Sequence, residues 1–115
     1  MTIDPLIAAY REAATIHGDA LEVGDAPRCN AALDEVERIR AELRDTDPDY
    51  THKILALLDD SNCAVRSCAA VDALDFAPEE GLRVLREVAA GPLGMVQFGA
   101  EMMLEKWAAQ CATEE

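Results

Sequence analysis

Residues 57–74 read LLDDSNCAVRSCAAVDAL, and this stretch decides the fold. The polar Asp59-Asp60-Ser61-Asn62 is a tight turn between two helices. In the second helix Ala64, Val65, Cys68, Ala69, Ala70, Val71, Ala73 and Leu74 point in nearly every direction. A surface helix keeps one polar face, whereas a helix that is apolar all round is enclosed by its neighbours. Something on either side of residues 62–76 must therefore cover them.

Working outward, helix punctuation supplies the cover. Asp4-Pro5 is a cap with Pro at the first helical position, and Gly18 is expected to close that helix. Its buried stripe is Leu6, Ala9, Tyr10 and Ala13. Pro27 opens a second helix in which Cys29, Ala32, Leu33, Val36, Ile39 and Leu43 recur at helical spacing. The outer face pairs Asp34 with Arg38 and Glu37 with Arg40 in the favourable acid-first order. Asp47-Pro48 starts a third helix using Tyr50, Ile54, Leu57 and Leu58. Pro78 starts a fifth, with Glu79 and Glu80 at its positive end and a ladder of Glu79, Arg83 and Glu87 outside. Gly91-Pro92 separates it from the sixth. The spacing predicts helices over 5–17, 27–43, 48–58, 62–76, 78–90 and 93–110, and no segment alternates with period two. The chain is predicted to be all-α, a single domain over 1–115.

A shift of 31 positions pairs Ile54 with Leu85, Leu57 with Val88, Val65 with Val96, Ala69 with Ala100, Ala73 with Leu104 and Phe76 with Trp107. Each unit is a helix, a turn and an Ala-rich second helix. Helical-hairpin repeats bury their second helices between neighbours, so residues 62–76 become the inner helix of a middle hairpin flanked by 5–43 and 78–110.

The segment Leu57–Phe76 resembles the HEAT-repeat signature, which has an Asp near the turn, Val-Arg early in the second helix, then small residues and Leu. The matching positions are Asp60, Val65, Arg66, Ala69, Ala70 and Leu74. Through residue 108 the chain is similar to a family of small bacterial HEAT-like domains known only as a domain of unknown function. The resemblance implies a right-handed stack of about three antiparallel helical hairpins, six helices in all, and no catalytic residues. HEAT-like domains act as binding surfaces, and small bacterial ones include immunity proteins that neutralise a cognate toxin by direct binding. The second unit departs from the pattern, with Gln97 where Arg66 stands.

The charge narrows the partners. Against 10 Lys and Arg stand 23 Asp and Glu, a formal net charge of −13 spread over both halves of the chain. Such a field repels nucleic acid and anionic membranes and draws basic proteins. The N-terminal stretch shows no basic region ahead of an apolar run, and no segment is apolar for long enough to span a bilayer, so a cytoplasmic protein is expected. Cys29, Cys63, Cys68 and Cys111 contain no C-x-x-C pair and are expected to be reduced structural thiols.

Candidate chemistry is sparse. Asp72 interrupts the enclosed helix, and a buried carboxylate is a suspect for acid–base work, but such work needs a second converging group. Arg66 lies beside the acidic turn, and a partly buried Arg needs a partner: Asp59, Asp60 or Asp75 is expected. His17 and His52 share no metal-binding spacing, so no metal or cofactor is expected. The run Asp45, Asp47, Asp49 lacks the central Gly and terminal Glu of a calcium loop. The candidate partner-binding residues are Asp45, Asp47, Asp49, Asp59 and Asp60, joined by Glu22 and Asp25 if these turns share one edge of the stack, with Tyr50 as apolar anchor. The chain reads first as a non-catalytic immunity protein whose acidic surface covers a basic toxin. It reads second as a scaffold or regulatory subunit, and last as an enzyme using Asp72 and Arg66.

Overall fold

The computed structural model describes residues 4–113, which contain six α-helices and no strand among the described residues. They are α1 (Pro5–Glu22), α2 (Ala26–Thr46), α3 (Tyr50–Ala56, extended by a 3₁₀ turn at Leu57–Asp59), α4 (Cys63–Ala73), α5 (Pro78–Ala89) and α6 (Met95–Thr113). Consecutive helices pair as α1 with α2, α4 with α5 and α5 with α6, and α3 also packs on α4. The inner position predicted for residues 62–76 is where α4 lies: it touches α1, α3, α5 and α6. Val65, Ala69, Ala70 and Ala73 are at most 1 % exposed. Among the described residues no helix is long and apolar enough to cross a membrane.

The caps explain the starts. Asp4 Oδ1 accepts from the Leu6 and Ile7 amides at 3.0 and 3.3 Å, and Asn62 Oδ1 accepts from Ala64 and Val65 at 2.8 and 3.4 Å. Each satisfies amides that the first turn leaves without intrahelical partners. At α6 the partner comes from elsewhere. Glu22, in the last turn of α1, accepts from the Val96 amide at 2.7 Å and ties the first inter-helix turn to the last.

Several expected boundaries move, each for a local reason. Gly18 does not close α1, which continues to Glu22. It is buried because α4 crosses there, and a Cβ on it would collide with the Ala64 Cβ. The stop comes at Gly24, whose φ of 74° suits glycine. Asp47 does not open α3. It ends α2, its Oδ1 accepts from the Asp49 amide at 2.8 Å across Pro48, and its other oxygen meets Lys53. The third helix therefore starts only at Tyr50. The fourth ends at Ala73 and continues as turn, not helix, to Phe76, while the sixth starts at Met95 and runs on to Thr113.

The ion pairs shift as well. Arg38 pairs with Glu35 and Glu42, not Asp34, and Arg83 with Glu80 and Glu87. Arg66 takes no carboxylate: its Nη1 donates to the backbone carbonyls of Asp60 and Ser61 at 2.8 and 3.3 Å. At the position equivalent by the 31-residue shift, Gln97 Nε2 donates to the Ala89 carbonyl at 3.1 Å. Both side chains secure carbonyls at the end of the preceding helix or its turn, so the Arg-to-Gln departure keeps the task and drops the charge.

Two substitutions test this packing. Ala normally exceeds Gly in a helix interior by about 1 kcal/mol. Here Gly18→Ala is expected to destabilise, by about 1–3 kcal/mol of overpacking. Adding Ala64→Gly should recover part of that loss, as read by urea midpoints. Val65→Asp, which buries a charge without a partner, should cost several kcal/mol; a parental melting temperature would show that α4 is not enclosed.

Candidate functional site

Among the described residues Asp72 is the one buried carboxylate, 4 % exposed, and the converging groups that sequence reasoning did not find are present. Tyr10 Oη, from α1, donates to Asp72 Oδ2 at 2.5 Å, and Arg40 Nη1, from α2, donates to Asp72 Oδ1 at 2.8 Å. A buried tyrosine hydroxyl requires a partner, so the fully buried Tyr10 was a signal. Arg40 gave none, because its spacing from Glu37 reads as a surface pair; instead it turns inward, with 30 % of its side chain exposed. Burial raises the Asp72 pKa despite both hydrogen bonds, and burial also drives the Tyr10 pKa well upward. Tyr10 thus remains a neutral donor. Both Asp72 oxygens are occupied from inside the fold, an arrangement that suits joining three helices better than moving protons.

Arg66 lies on α4 with its guanidinium docked on the 60–61 backbone, and no contact links it to Asp72. Histidine 17 places Nδ1 3.0 Å from the Cys29 carbonyl and 3.2 Å from Cys29 Sγ, while His52 is exposed on α3. Among the described residues no three His, Cys, Asp or Glu side chains gather as a metal site requires. All four cysteines are free thiols, and burial pushes the Cys68 thiol up to about 12.

The acidic turns are divided. Asp45, Asp49 and Asp59 are exposed. Asp47 and Asp60 are engaged internally. Lys53 Nζ reaches Asp4 at 2.5 Å and also Asp47, and Arg11 Nε reaches Asp60 at 2.6 Å. The hydrogen bond from Lys53 is the main cause that holds Asp4 and Asp47 below the usual carboxylate range. Tyr50 is half-buried, its ring edge-on to Phe76 with centroids 5.6 Å apart. The 45–49 turn precedes α3 and the 59–62 turn follows it, so a helical length of roughly 15 Å separates the two groups. Glu22 and Asp25 lie in the α1–α2 turn, joined to the start of α6 through Glu22. The acids therefore occupy two edges and not one.

An apolar surface lies elsewhere, on α6. Met95, Phe98 and Met102 are 44, 50 and 50 % exposed, and Leu93 just before the helix is 93 % exposed. The helical residues sit at i, i+3 and i+7, which makes one continuous stripe. Nothing lies within 4 Å of a Cβ placed on Gly99 beside them. Glu101 and Glu105, four apart and exposed, border the stripe on one side. Composition alone concealed it, because an apolar helix at the end of the chain reads as core.

The buried carboxylate makes a prediction with a definite sign. A carboxyl whose pKa is raised by folding stabilises the fold below its unfolded-chain pKa, and that contribution is lost as pH rises through the folded value. The stability advantage of the parent over Asp72→Asn should thus be largest in acid and decline as pH increases from about 4. The depressed carboxylates Asp4, Asp47 and Asp60, which act in the opposite direction, are common to both proteins and cancel. Urea unfolding of the two proteins across pH checks this; a difference that grows with pH would show Asp72 favoured as an anion.

Comparison with known proteins adds the lineage. Among curated proteins, none matches the chain. Among solved structures the chain is similar to the protein RPA1889 from Rhodopseudomonas palustris CGA009. The TM-score is 0.81 and the sequence identity 26 %, over 95 % of this chain and 90 % of that one. The family model described as Domain of unknown function (DUF2019) matches residues 4–107. With nearly all of α1 to α6 inside that match, the chain belongs to the DUF2019 family.

Proposed function

We propose that this chain is a non-catalytic, HEAT-like protein-binding domain of the bacterial immunity type, which neutralises a basic toxin enzyme by covering it. The observation that carries the reading is the uncovered α6 stripe of Met95, Phe98 and Met102, bordered by Glu101 and Glu105. Stable interfaces are built on a few large apolar or aromatic anchors inside a polar rim, and an exposed apolar patch on a highly charged protein marks such a surface. Phe98 takes the anchor role first assigned to Tyr50. The acidic rim and the net charge of −13 select a partner rich in Lys and Arg. Asp45, Asp49 and Asp59, all exposed, contribute to the long-range field that accelerates encounter. The engagement of both Asp72 oxygens inside the fold supports a role without bond-making.

The test is recovery of the tagged chain from its own host after crosslinking, followed by reconstitution with the protein that accompanies it. That protein is expected to be basic, toxic when expressed alone and harmless with the parent chain. Phe98→Ser with Met102→Ser should melt like the parent yet weaken the complex by about 2 kcal/mol or more. Changing Asp45, Asp49 and Asp59 to Asn should slow association and flatten its salt dependence, with little change in dissociation. A harmless partner would replace the toxin reading with that of a scaffold. Binding indifferent to the α6 changes would move the interface elsewhere.

A further inference from the structure

A cleft of about 400 Å³ opens between α2, α4 and α6, a size in the range of small-molecule sites. Its edge on α6 is formed by Gly99, Met103 and Lys106. Gly99 and Glu101 are two positions apart, which in a helix points them in nearly opposite directions, so the cleft lies on the flank of α6 away from the acidic rim.

The walls are apolar: Leu33 and Val36 from α2, Val71 from α4 and Met103 from α6. Nitrogen donors collect among them although acids outnumber bases more than two to one in the chain. Arg40 spends Nη1 on Asp72; its Nε is buried with no acceptor, and its Nη2 has no described partner. The chain has two lysines. Lys53 is locked between Asp4 and Asp47, whereas Lys106 is exposed and makes no ion pair among the described residues. Histidine 17, also on the lining, has Nδ1 committed to Cys29, and the Ser67 hydroxyl adds a further donor. Two acids line the cleft. Asp72 is 4 % exposed with both oxygens occupied, so Glu37 is the accessible one.

We propose that this cleft binds a small aliphatic monocarboxylate, its carboxylate held by Arg40 and Lys106 and its hydrocarbon body laid on Leu33, Val36, Val71 and Met103. A guanidinium whose Nη2 has no described partner, beside an apolar wall, suits a carboxylate by charge-assisted hydrogen bonding, and the wall rewards burial of the chain behind it. The α6 stripe lies on the adjoining flank, Gly99 following Met95 and Lys106 following Met102 by four positions each, so the variants below separate the two surfaces.

The experiment is calorimetric titration of the full chain with octanoate, 1-octanol and octylamine. Octanoate should saturate one site, with the alcohol and the amine weaker by about tenfold or more. Arg40 is left intact because it also supports Asp72. Lys106→Glu should weaken octanoate by about tenfold, and Glu37→Gln should tighten it severalfold, both with parental melting temperatures. Three outcomes overturn the proposal. One is the absence of saturable octanoate binding, and another is equal affinity for the three ligands. The third is binding that ignores Lys106→Glu and disappears with Phe98→Ser and Met102→Ser, which would put the molecule on the stripe.

Discussion

The close approach of α4 to helices on two sides governs the rest of the structure. On one side Gly18 of α1 lies so near Ala64 that a Cβ on it would collide with the Ala64 Cβ. On the other, a Cβ on Gly81 of α5 would stand 2.6 Å from the Ala70 carbonyl oxygen. Helices approach to such distances only where both surfaces carry small residues. This explains why the most enclosed helix is built from alanines and not from leucines. Larger side chains would have pushed α1 and α5 outward and opened voids around Leu85, Val84 and Ile54, which are now fully buried. The dense centre follows from small groups allowing backbones to meet, with little aromatic content.

Small-residue packing leaves sliding and rotation weakly opposed, and the polar cluster on the same helix supplies what it lacks. Tyr10, Arg40 and Asp72 come from α1, α2 and α4 and meet within hydrogen-bond distance in one register of those helices. A shift of one turn would leave a carboxylate buried without its partners, at a cost far above that of sliding alanines past one another. Burial pressure on Asp72 and its two donors are therefore parts of one arrangement. The carboxyl is costly to bury, and the geometry that compensates it also aligns the first hairpin with the centre.

Helix existence and pairing were legible because they rest on local chemistry. Asp4-Pro5, Pro27, Asn62 and Pro78 mark starts that the caps and Pro positions of the structure share. Apolar encirclement of residues 62–76 identified the inner helix. What failed depended on distant contacts. Gly18 looks like a stop when it is a crossing point, Asp47 looks like a helix cap when Lys53 and a turn claim it, and Arg40 looks like half of a surface pair when it belongs to Asp72. The acidic turns could not be assigned to edges from sequence, since that depends on where each helix ends. The α6 stripe was hidden for a related reason: periodicity tells how many faces of a helix are apolar, not how many have neighbours.

The 31-residue correspondence separates two parts of the α6 surface. On α4 the surface that receives the next hairpin includes Ala70, against Gly81, and the buried Leu74. The equivalent positions on α6 are Glu101 and Glu105, both exposed. Carboxylates there give α6 a polar face where α4 carries a buried apolar one. Met95, Phe98 and Met102 are equivalent to Ala64, Ser67 and Val71, which on α4 line the cleft shared with α6; on α6 the same positions stand exposed beside the carboxylates. Self-association across the stripe would bring together two bodies of net charge −13, which the field opposes at low ionic strength. The same field favours a basic surface at the same place. Carboxylates thus border an apolar line on α6, the arrangement on which the proposed basic partner would dock.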